Sequence, residues 1–327
     1  MADSVRYGVL STAQIALNRH VPAAAAADNA DVVAIASRNL GRAQAAAEKH
    51  GIARAYGSYQ ELIDDSEVDA IINPLPNGLH CEWTIKAAEA GKHILCEKPL
   101  AVSVEQAQKM IDAAATNGVQ LMEAFTHRFN PQMQYARRLI QEGELGQITS
   151  ARAELTYALK DWENDVRANK ELAGGALMDA GCYCVSALRF ALNEEPVRAQ
   201  AFQRLRQPNG IDAMTAALLQ FAGGAVGHVL TSMEQPFRCE LAVIGSHGLV
   251  VVPNMFDEQG TVQVVVGGQK REEEFSGADR FRVQIERFSA CVLQGKDPEF
   301  SPRDALKNTA VLVAIQRAAE AGKTVEV

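Results

Sequence analysis

The amino-acid sequence predicts an α/β fold with two domains. The first is a doubly wound parallel sheet, and the second is an α+β domain built on a largely antiparallel open sheet. Three observations support this. Strand and helix patterns alternate through residues 1–123. Strand patterns with few helices between them follow in residues 124–327. The length of 327 residues also suits two domains.

In the first domain, apolar strand patterns are separated by helical patterns that bury one face. The predicted strands are 5–10, 31–36, 68–72, 93–96 and 119–122, and the predicted helices are 39–50, 78–90 and 103–117. Ser103 suits the N-cap of the last helix, and Gly118 suits the residue just beyond its end. Strands and helices that alternate at this spacing are typical of a parallel sheet covered by helices.

In the second domain, the strand patterns are separated by turn signals rich in glycine, proline and asparagine. The predicted strands are 150–159, 197–205, 213–221, 225–231, 239–244, 249–252 and 261–266, and the predicted helices are 131–142, 175–192, 280–293 and 302–321. Short connections of this kind favour antiparallel pairing, with one face of the sheet left for a subunit contact.

Composition narrows the functional classes. The chain is 47% hydrophobic and 22% charged, as in an ordinary globular protein, and no apolar run reaches the length of a membrane span. The N-terminus lacks the features of a signal peptide, and six cysteines in this length do not form a disulfide framework. A cytoplasmic protein is therefore expected. A net charge of -8 without a basic stripe argues against a nucleic-acid partner. Cys182 and Cys184 point to different faces of a helix, so no metal site is expected there.

A candidate phosphate-binding turn follows the first strand. Its candidate cofactor residues are Ser11, Thr12, Ala13 and Ile15. The glycine fingerprint of dinucleotide-binding turns would fall on Ser11, Ala13 and Ala16, and only Ala16 matches it. A tight turn that packs a helix on a strand, without any ligand, explains the segment equally well.

The end of the second strand indicates which dinucleotide is bound. An NAD-binding unit places a carboxylate here against the ribose hydroxyls. This chain has Ser37 and Arg38, with Arg42 one helical turn later. A hydroxyl and guanidinium groups can bind a 2′-phosphate, so NADP is predicted, with NAD possible. The alternative is a solvated helix start.

The segment Glu97-Lys98-Pro99 ends the predicted strand 93–96. Ligands bind at the carboxyl ends of strands in open α/β sheets. A lysine there can exchange a proton near neutral pH if burial or a cationic neighbour lowers its pKa. An isolated Lys-Pro would more simply be a surface lysine after a strand.

Four segments of the chain together resemble one oxidoreductase family. They are PLPNGLH at 74–80, AGKHILCEKPL at 90–100, EAFTHRFNP at 123–131 and GGALMDAGCY at 174–183. In this order they resemble the family named for glucose–fructose oxidoreductase and inositol dehydrogenase. Much of that family has a histidine where this chain has Tyr183, and an aspartate where it has Ser186. The tyrosine is similar to the branch that contains dihydrodiol dehydrogenase and NADP-dependent xylose dehydrogenase.

The resemblance implies a Rossmann dinucleotide-binding domain over 1–123 and a substrate-binding and oligomerisation domain over 124–327, in a homodimer or homotetramer. It implies a catalytic set of Lys98, Tyr183 and Asp179, in which the Lys98 ammonium favours the tyrosinate and so lets Tyr183 relay the proton. The implied cofactor contacts add Leu75, Pro76, Asn77, His80, Glu97 and Arg128 to the residues above. The implied substrate contacts are Trp162, Arg167, Asp179 and Tyr183.

Simpler roles remain open for several of these residues. Tyr183 can be a packed core tyrosine, and Asn77 can be a helix N-cap. Arg128 can be a surface ion-pair partner, and Trp162 and Arg167 can be interface residues.

Together these features predict an NADP(H)-dependent oxidoreductase that acts on a hydroxyl or hemiacetal carbon of a sugar or cyclic polyol. The alternatives are a keto-sugar reductase of deoxysugar synthesis and a cofactor-binding sensor without turnover. No membrane partner is expected.

Overall fold

A computed structural model describes residues 4–277 and 279–327, so the first three residues considered for a signal peptide lie outside it. The described chain forms two compact units. The first contains the residues up to Ala124 together with Phe281–Leu306, and the second contains Phe125–Arg280 and Lys307–Val327.

The second unit differs from the predicted contiguous domain 124–327, because residues 281–306 return to the first unit. Two contacts, one buried and one partly buried, explain their return. The hydroxyls of Tyr7 and Ser289 lie 2.8 Å apart, and the Asn29 side chain donates to the Glu286 carbonyl at 3.0 Å. Sequence periodicity identifies an amphipathic helix here, but it does not show which sheet the helix covers.

Seven helices of the described residues lie close to predicted positions, and the two shortest, Val21–Ala25 and Tyr59–Ile63, were not predicted. The helices are α1 Val21–Ala25, α2 Leu40–His50, α3 Tyr59–Ile63, α4 His80–Glu89, α5 Val104–Thr116, α6 Pro131–Gln141, α7 Cys182–Leu192, α8 Arg280–Gln294 and α9 Pro302–Ala321. Asn39 caps α2 by accepting the Arg42 amide, and Ser103 caps α5 by accepting the Gln106 amide. No helix in the described ranges is both long and apolar enough to span a membrane.

The first unit is built on a six-stranded parallel sheet. Its strands are β1 Val5–Leu10, β2 Ala30–Ala36, β3 Arg54–Tyr56, β4 Ala70–Asn73, β5 His93–Cys96 and β6 Leu121–Glu123. Their order is β3-β2-β1-β4-β5-β6, and every pair is parallel. This is the doubly wound order of dinucleotide-binding sheets, so the predicted parallel sheet is confirmed. Fully buried side chains such as Leu10, Ile71 and Ile94 form its core.

The second unit is built on a nine-stranded sheet. Its strands are β7 Ile148–Ala158, β8 Pro196–Arg206, β9 Ile211–Phe221, β10 Val226–Ser232, β11 Glu234–Gly245, β12 Gly248–Val252, β13 Gln259–Val266, β14 Gln269–Ser276 and β15 Val325–Glu326. Their order is β14-β13-β12-β11-β7-β10-β9-β8-β15. Only the β7–β10 pair is parallel among the pairs described, so the prediction of a largely antiparallel sheet is confirmed.

Two segments of the described residues wind as π-helix: one follows the candidate phosphate turn, and the other contains Asp179. Ala16–His20 leads into α1 in the first unit, and Leu177–Gly181 leads into α7 in the second. A π-turn inserts an extra residue into a helix and is often found at functional sites. The predicted helix 175–192 is therefore a π-turn followed by α7.

Candidate active site

The carboxyl ends of four parallel strands bring the predicted cofactor segments of the first unit to one edge of its sheet. Strand β1 leads into Ser11, β2 into Ser37, β4 into the segment around Leu75, and β5 into Glu97. Ligands of open α/β sheets bind at this edge. The topology therefore groups residues that are as much as 86 positions apart in the sequence.

The turn after β1 holds Ser11 in a backbone conformation that is unusual for a residue with a side chain. Ser11 has a φ of +113°, in a region that favours glycine, which is the residue the fingerprint has at this position. Its hydroxyl accepts the Ala13 amide at 3.2 Å. Thr12 and Ala13 are partly exposed, and Ile15 is exposed just before the π-turn. Ser11 therefore has a glycine-like backbone at the position where the fingerprint has its first glycine.

The end of β2 presents hydroxyl and guanidinium groups. Ser37 is buried and accepts the Asn39 amide at 3.2 Å, whereas Arg38 and Arg42 are exposed. Asn39 caps the helix, so a helix start and a set of donors for an anion are both present. The Arg38 guanidinium lies beside Tyr59, whose pKa is raised by burial and partly lowered again by that cation.

The segment after β4 is held from behind by His80. This histidine is fully buried, and its Nδ1 and Nε2 atoms lie 2.8 Å from the Pro99 carbonyl and 2.7 Å from the Leu75 carbonyl. Burial lowers the pKa of His80, and the two carbonyls oppose that shift. Both ring nitrogens are thus engaged by backbone, which suits a residue that positions the segments around Leu75 and Pro99. Asn77 begins a single 3₁₀ turn, Asn77–Leu79, and is not a helix N-cap.

Glu97 and Lys98 follow β5 directly. Glu97 is buried, and its carboxylate contacts His20 Nε2 at 2.7 Å and accepts the Lys98 amide at 3.2 Å. Burial alone would raise the pKa of Glu97. The His20 hydrogen bond and nearby charges together outweigh burial, so the pKa of Glu97 lies below its usual value. The carboxylate is therefore ionised at neutral pH beside the partly buried Lys98.

In the second unit, Tyr183 lies in the first turn of α7 within an aromatic cluster. Its ring meets Phe125, His127 and Phe256 edge to face, at centroid distances of 5.3, 5.4 and 4.8 Å. Burial and the nearby guanidinium groups of Arg128 and Arg280 hold the pKa of His127 well below its usual range. A neutral histidine and two phenyl rings thus fix the Tyr183 ring, which remains partly exposed.

Asp179 lies in the π-turn before α7 and is held by two side chains. The Tyr157 hydroxyl donates to Asp179 Oδ2, and Arg167 Nε lies 3.3 Å from the same oxygen. Burial and the Asp179 charge raise the pKa of Tyr157, so it remains a neutral donor. The Asp179 charge also raises the pKa of Arg167. Tyr157 was not predicted from the sequence, because an aromatic residue in a strand gives no separate signal.

Trp162 and Arg128, the remaining predicted site residues of the second unit, contact other side chains of that unit. The Trp162 ring stacks under the Arg206 guanidinium, 4.4 Å from its carbon to the ring centroid. Arg128 is 3% exposed, and its Nε donates to Ser186 Oγ at 2.9 Å, so a surface ion pair does not describe it. No cluster of three or more potential metal ligands occurs in the described ranges.

Comparison with known proteins identifies the family. Residues 5–125 match a family model described as an oxidoreductase family with an NAD-binding Rossmann fold, and residues 133–251 match the GFO/IDH/MocA C-terminal domain. The chain belongs to the GFO/IDH/MocA oxidoreductase family. The family predicted from the four sequence segments is therefore confirmed, and with it the assignment as an oxidoreductase.

Several GFO/IDH/MocA proteins are similar over nearly the whole chain. A D-xylose 1-dehydrogenase (NADP(+)) from Haloferax volcanii is 35% identical, covering 98% of this chain and 99% of the relative. The crystal structure of an aldose-aldose oxidoreductase from Caulobacter crescentus with glycerol has a TM-score of 0.93 at 28% identity, covering 99% and 100%. A 3-ketoreductase from Actinomadura kijaniata, solved with NADP and TDP-benzene, has a TM-score of 0.91 at 30% identity, covering 96% and 98%.

Proposed function

We propose that this GFO/IDH/MocA protein is an NADP(H)-dependent oxidoreductase of sugars or related cyclic polyols. It would interconvert a secondary alcohol and a ketone, or a hemiacetal and a lactone. The observation that carries the proposal is the position of Lys98. It follows β5 at the ligand-binding edge of a dinucleotide-binding sheet, beside a buried, ionised Glu97.

The preference for NADP rests on the end of β2. A 2′-phosphate needs cationic or hydroxyl donors and is repelled by a carboxylate. Ser37, Arg38 and Arg42 provide such donors, and Arg38 and Arg42 are exposed. The backbone of Ser11, in a conformation that favours glycine, supports a pyrophosphate next to the helix start. The residues present therefore fit NADP, and the names of two similar proteins include it.

The substrate contacts are proposed in the second unit. Asp179 is fixed by Tyr157 and Arg167, which leaves a carboxylate and a guanidinium together at the start of α7. Such a pair suits neighbouring hydroxyls, because the carboxylate accepts hydrogen bonds and the guanidinium donates them. Trp162, held under Arg206, offers an aromatic face for a sugar ring.

The chemistry divides between the cofactor and the side chains. When bound, the nicotinamide supplies the site that accepts or donates hydride. Tyr183 relays the hydroxyl proton, and its ring is held by three edge-to-face contacts. Lys98 donates a hydrogen bond to the reacting oxygen, and its positive charge favours the tyrosinate form of Tyr183. Asp179 orients the substrate.

A keto-sugar reductase is the second candidate, because the Actinomadura kijaniata 3-ketoreductase is similar over almost the full length of both chains. It would use the same cofactor and the same Lys98, with hydride moving in the opposite direction. The two candidates differ in the substrate that turns over. A sensor that binds the cofactor without turnover is the remaining alternative.

A substrate screen tests the proposal. The purified protein is mixed with NADP+ or NAD+ and a panel of aldoses and cyclic diols, and with NADPH and keto-sugars or their nucleotide esters. Reduced nicotinamide is followed by absorbance, and Lys98→Ala, run in parallel, reveals any contaminating dehydrogenase. Oxidation of an aldose or diol with NADP+ supports the first candidate, and turnover of keto-sugars alone supports the second. Cofactor binding without turnover of any substrate would contradict both.

Cytoplasmic location and a homodimer or homotetramer also remain proposals for this protein. The proposal of a cytoplasmic location rests on the cysteines, which form no disulfide within the described residues. The face of the nine-stranded sheet that carries exposed apolar residues is the proposed subunit contact.

A further inference from the structure

His20 is a buried histidine that the chemistry above does not use. It is the last residue of the π-turn Ala16–His20, a few residues beyond the candidate phosphate turn. Its side chain has no exposed surface, and the sequence pattern shows it only as the boundary of an alanine-rich run.

The ring of His20 is fixed on two sides within the first unit. Its Nε2 atom lies 2.7 Å from Glu97 Oε1, and Phe281 meets the ring edge to face at 5.1 Å. The Arg19 guanidinium stacks on Phe281, with its central carbon 4.5 Å from the Phe281 ring centroid. Among the described residues, Nδ1 of His20 has no hydrogen-bond partner. The contact with Glu97 is therefore the polar contact that fixes the ring.

The partner of His20 is placed where its orientation matters. Glu97 follows β5 at the ligand-binding edge, and its Oε2 atom accepts the amide of Lys98 at 3.2 Å. One carboxylate oxygen thus faces His20 and the other faces the backbone of Lys98. A shift of this carboxylate would move a group beside the proposed reactive lysine.

A structural role alone explains this arrangement poorly. Desolvation makes a buried carboxylate and its polar partner weak contributors to stability, and well-packed apolar residues often replace such groups without loss. A pair of this kind is better explained by the position it fixes. Here it joins the helix start behind the phosphate turn to the segment that carries Lys98.

We propose that His20 is a positioning residue that holds Glu97 in place at the nicotinamide end of the cofactor site. The proposal rests on the function proposed above. In this role His20 touches neither the cofactor nor the substrate, and it acts through the carboxylate of Glu97.

Ligand binding separates this role from a general structural one. The dissociation constants of NADP and of adenosine 2′,5′-bisphosphate, which lacks the nicotinamide half, are measured by fluorescence titration. His20→Leu removes the donor to Glu97. It should weaken NADP binding about tenfold, the scale of one lost hydrogen bond to a charged group, and change adenosine 2′,5′-bisphosphate binding by less than about twofold.

Two further variants keep the test decisive if His20→Leu folds poorly. His20→Gln keeps a nitrogen donor near the position of Nε2 and should restore most of the NADP affinity. Glu97→Gln should show the same selective loss as His20→Leu, and the double variant should be little worse than either single variant, because the two side chains act as one unit. His50→Leu, at a partly buried histidine at the end of α2, is the matched control and should leave both affinities unchanged.

Equal weakening of both ligands would overturn the proposal, because His20 would then support the whole cofactor domain. Unchanged NADP affinity in His20→Leu and Glu97→Gln would also overturn it. Neither result would contradict the proposed oxidoreductase function. That function would fail if the unaltered protein bound no NADP, and this is measured in the same titration.

Discussion

Asp212 fills the space that a side chain at residue 175 would occupy: a Cβ added to Gly175 would lie 1.8 Å from Asp212 Oδ1. Gly175 also has a φ of +112°, which disfavours other residues. The second carboxylate oxygen of Asp212 accepts the Leu177 amide at 2.7 Å. This carboxylate therefore anchors the start of the π-turn that carries Asp179.

The ionised carboxylate of Asp212 should lower the free energy of unfolding at neutral and higher pH. Burial raises the pKa of Asp212 to about 6, so the folded protein binds this proton more tightly than the unfolded chain. Stability should therefore fall as pH rises from about 4 to about 6 and then level off. Asp212→Asn keeps an acceptor for Leu177 without the charge, and it should raise the free energy of unfolding at pH 8 by about 1–3 kcal/mol. Urea denaturation at pH 4 and pH 8 measures this gain.

The exposed Asp112 provides the control for the Asp212 experiment. Asp112→Asn should change the free energy of unfolding little at either pH. A gain for Asp212→Asn that is equal at pH 4 and pH 8 would show that charge burial is not its cause.

Ser11 should store backbone strain in the phosphate turn. A non-glycine residue in this conformation costs about 1–3 kcal/mol. Ser11→Gly and Ser11→Ala both lose the hydroxyl that accepts the Ala13 amide, and only the glycine relieves the backbone. The glycine variant should therefore exceed the alanine variant in free energy of unfolding by about 1–3 kcal/mol. Chemical denaturation of the pair measures this, and equal stabilities would show that the angle carries no strain.

Arg38 should select NADP over NAD. Arg38→Ala removes a charged donor proposed to bind the 2′-phosphate. The lost binding free energy of about 1.5–3 kcal/mol should raise the Michaelis constant for NADP, and the Michaelis constant for NAD should barely change. Steady-state kinetics with both cofactors tests this. Lys49→Ala removes an exposed cation from the last turn of α2, the helix that follows Arg38, and serves as the control. Equal effects of Arg38→Ala on both cofactors would remove Arg38 from the phosphate site.

The open face of the second sheet should bind another copy of the chain. Strand register places Phe202, Leu218, Val226 and Ile244 on one face, and all four are exposed. Light scattering at micromolar concentration should give a multiple of the 35.3 kDa chain mass. The double variant Phe202→Glu, Leu218→Glu should reduce it to the monomer, and Leu40→Glu, at an exposed leucine of the other unit, should not. A monomeric unaltered protein would contradict the proposal.

The sequence predicts elements well where burial and periodicity agree. Strand β5 and helix α9 have the predicted bounds, because each combines a regular apolar pattern with a clear turn or proline at an end. Strands β3, β14 and β15 were missed. The charged β14 has no apolar period of its own and forms by pairing with β13, which is a tertiary effect.

The candidate site was only partly accessible from the sequence. Family motifs indicated Lys98, Asp179 and Tyr183, but His20, Tyr157 and Asp212 carry no motif. Each of these three contacts a residue far away in the chain, so only the folded topology reveals its partner. The glycine-like backbone of Ser11 in the candidate phosphate turn was also not predicted, because a residue's type does not give its φ angle.

Turnover by Tyr183→Phe tests the central claim most directly. The change keeps the ring and its contacts with Phe125, His127 and Phe256, and it removes only the hydroxyl proposed to relay the proton. With the best substrate from the screen, kcat should fall by roughly two to four orders of magnitude. The dissociation constant of NADP should stay within about twofold of that of the unaltered protein, because the removed hydroxyl acts on the reacting proton and not on cofactor binding. Turnover at the level of the unaltered protein would contradict the account, and Lys98 or Asp179 would then have to handle the proton.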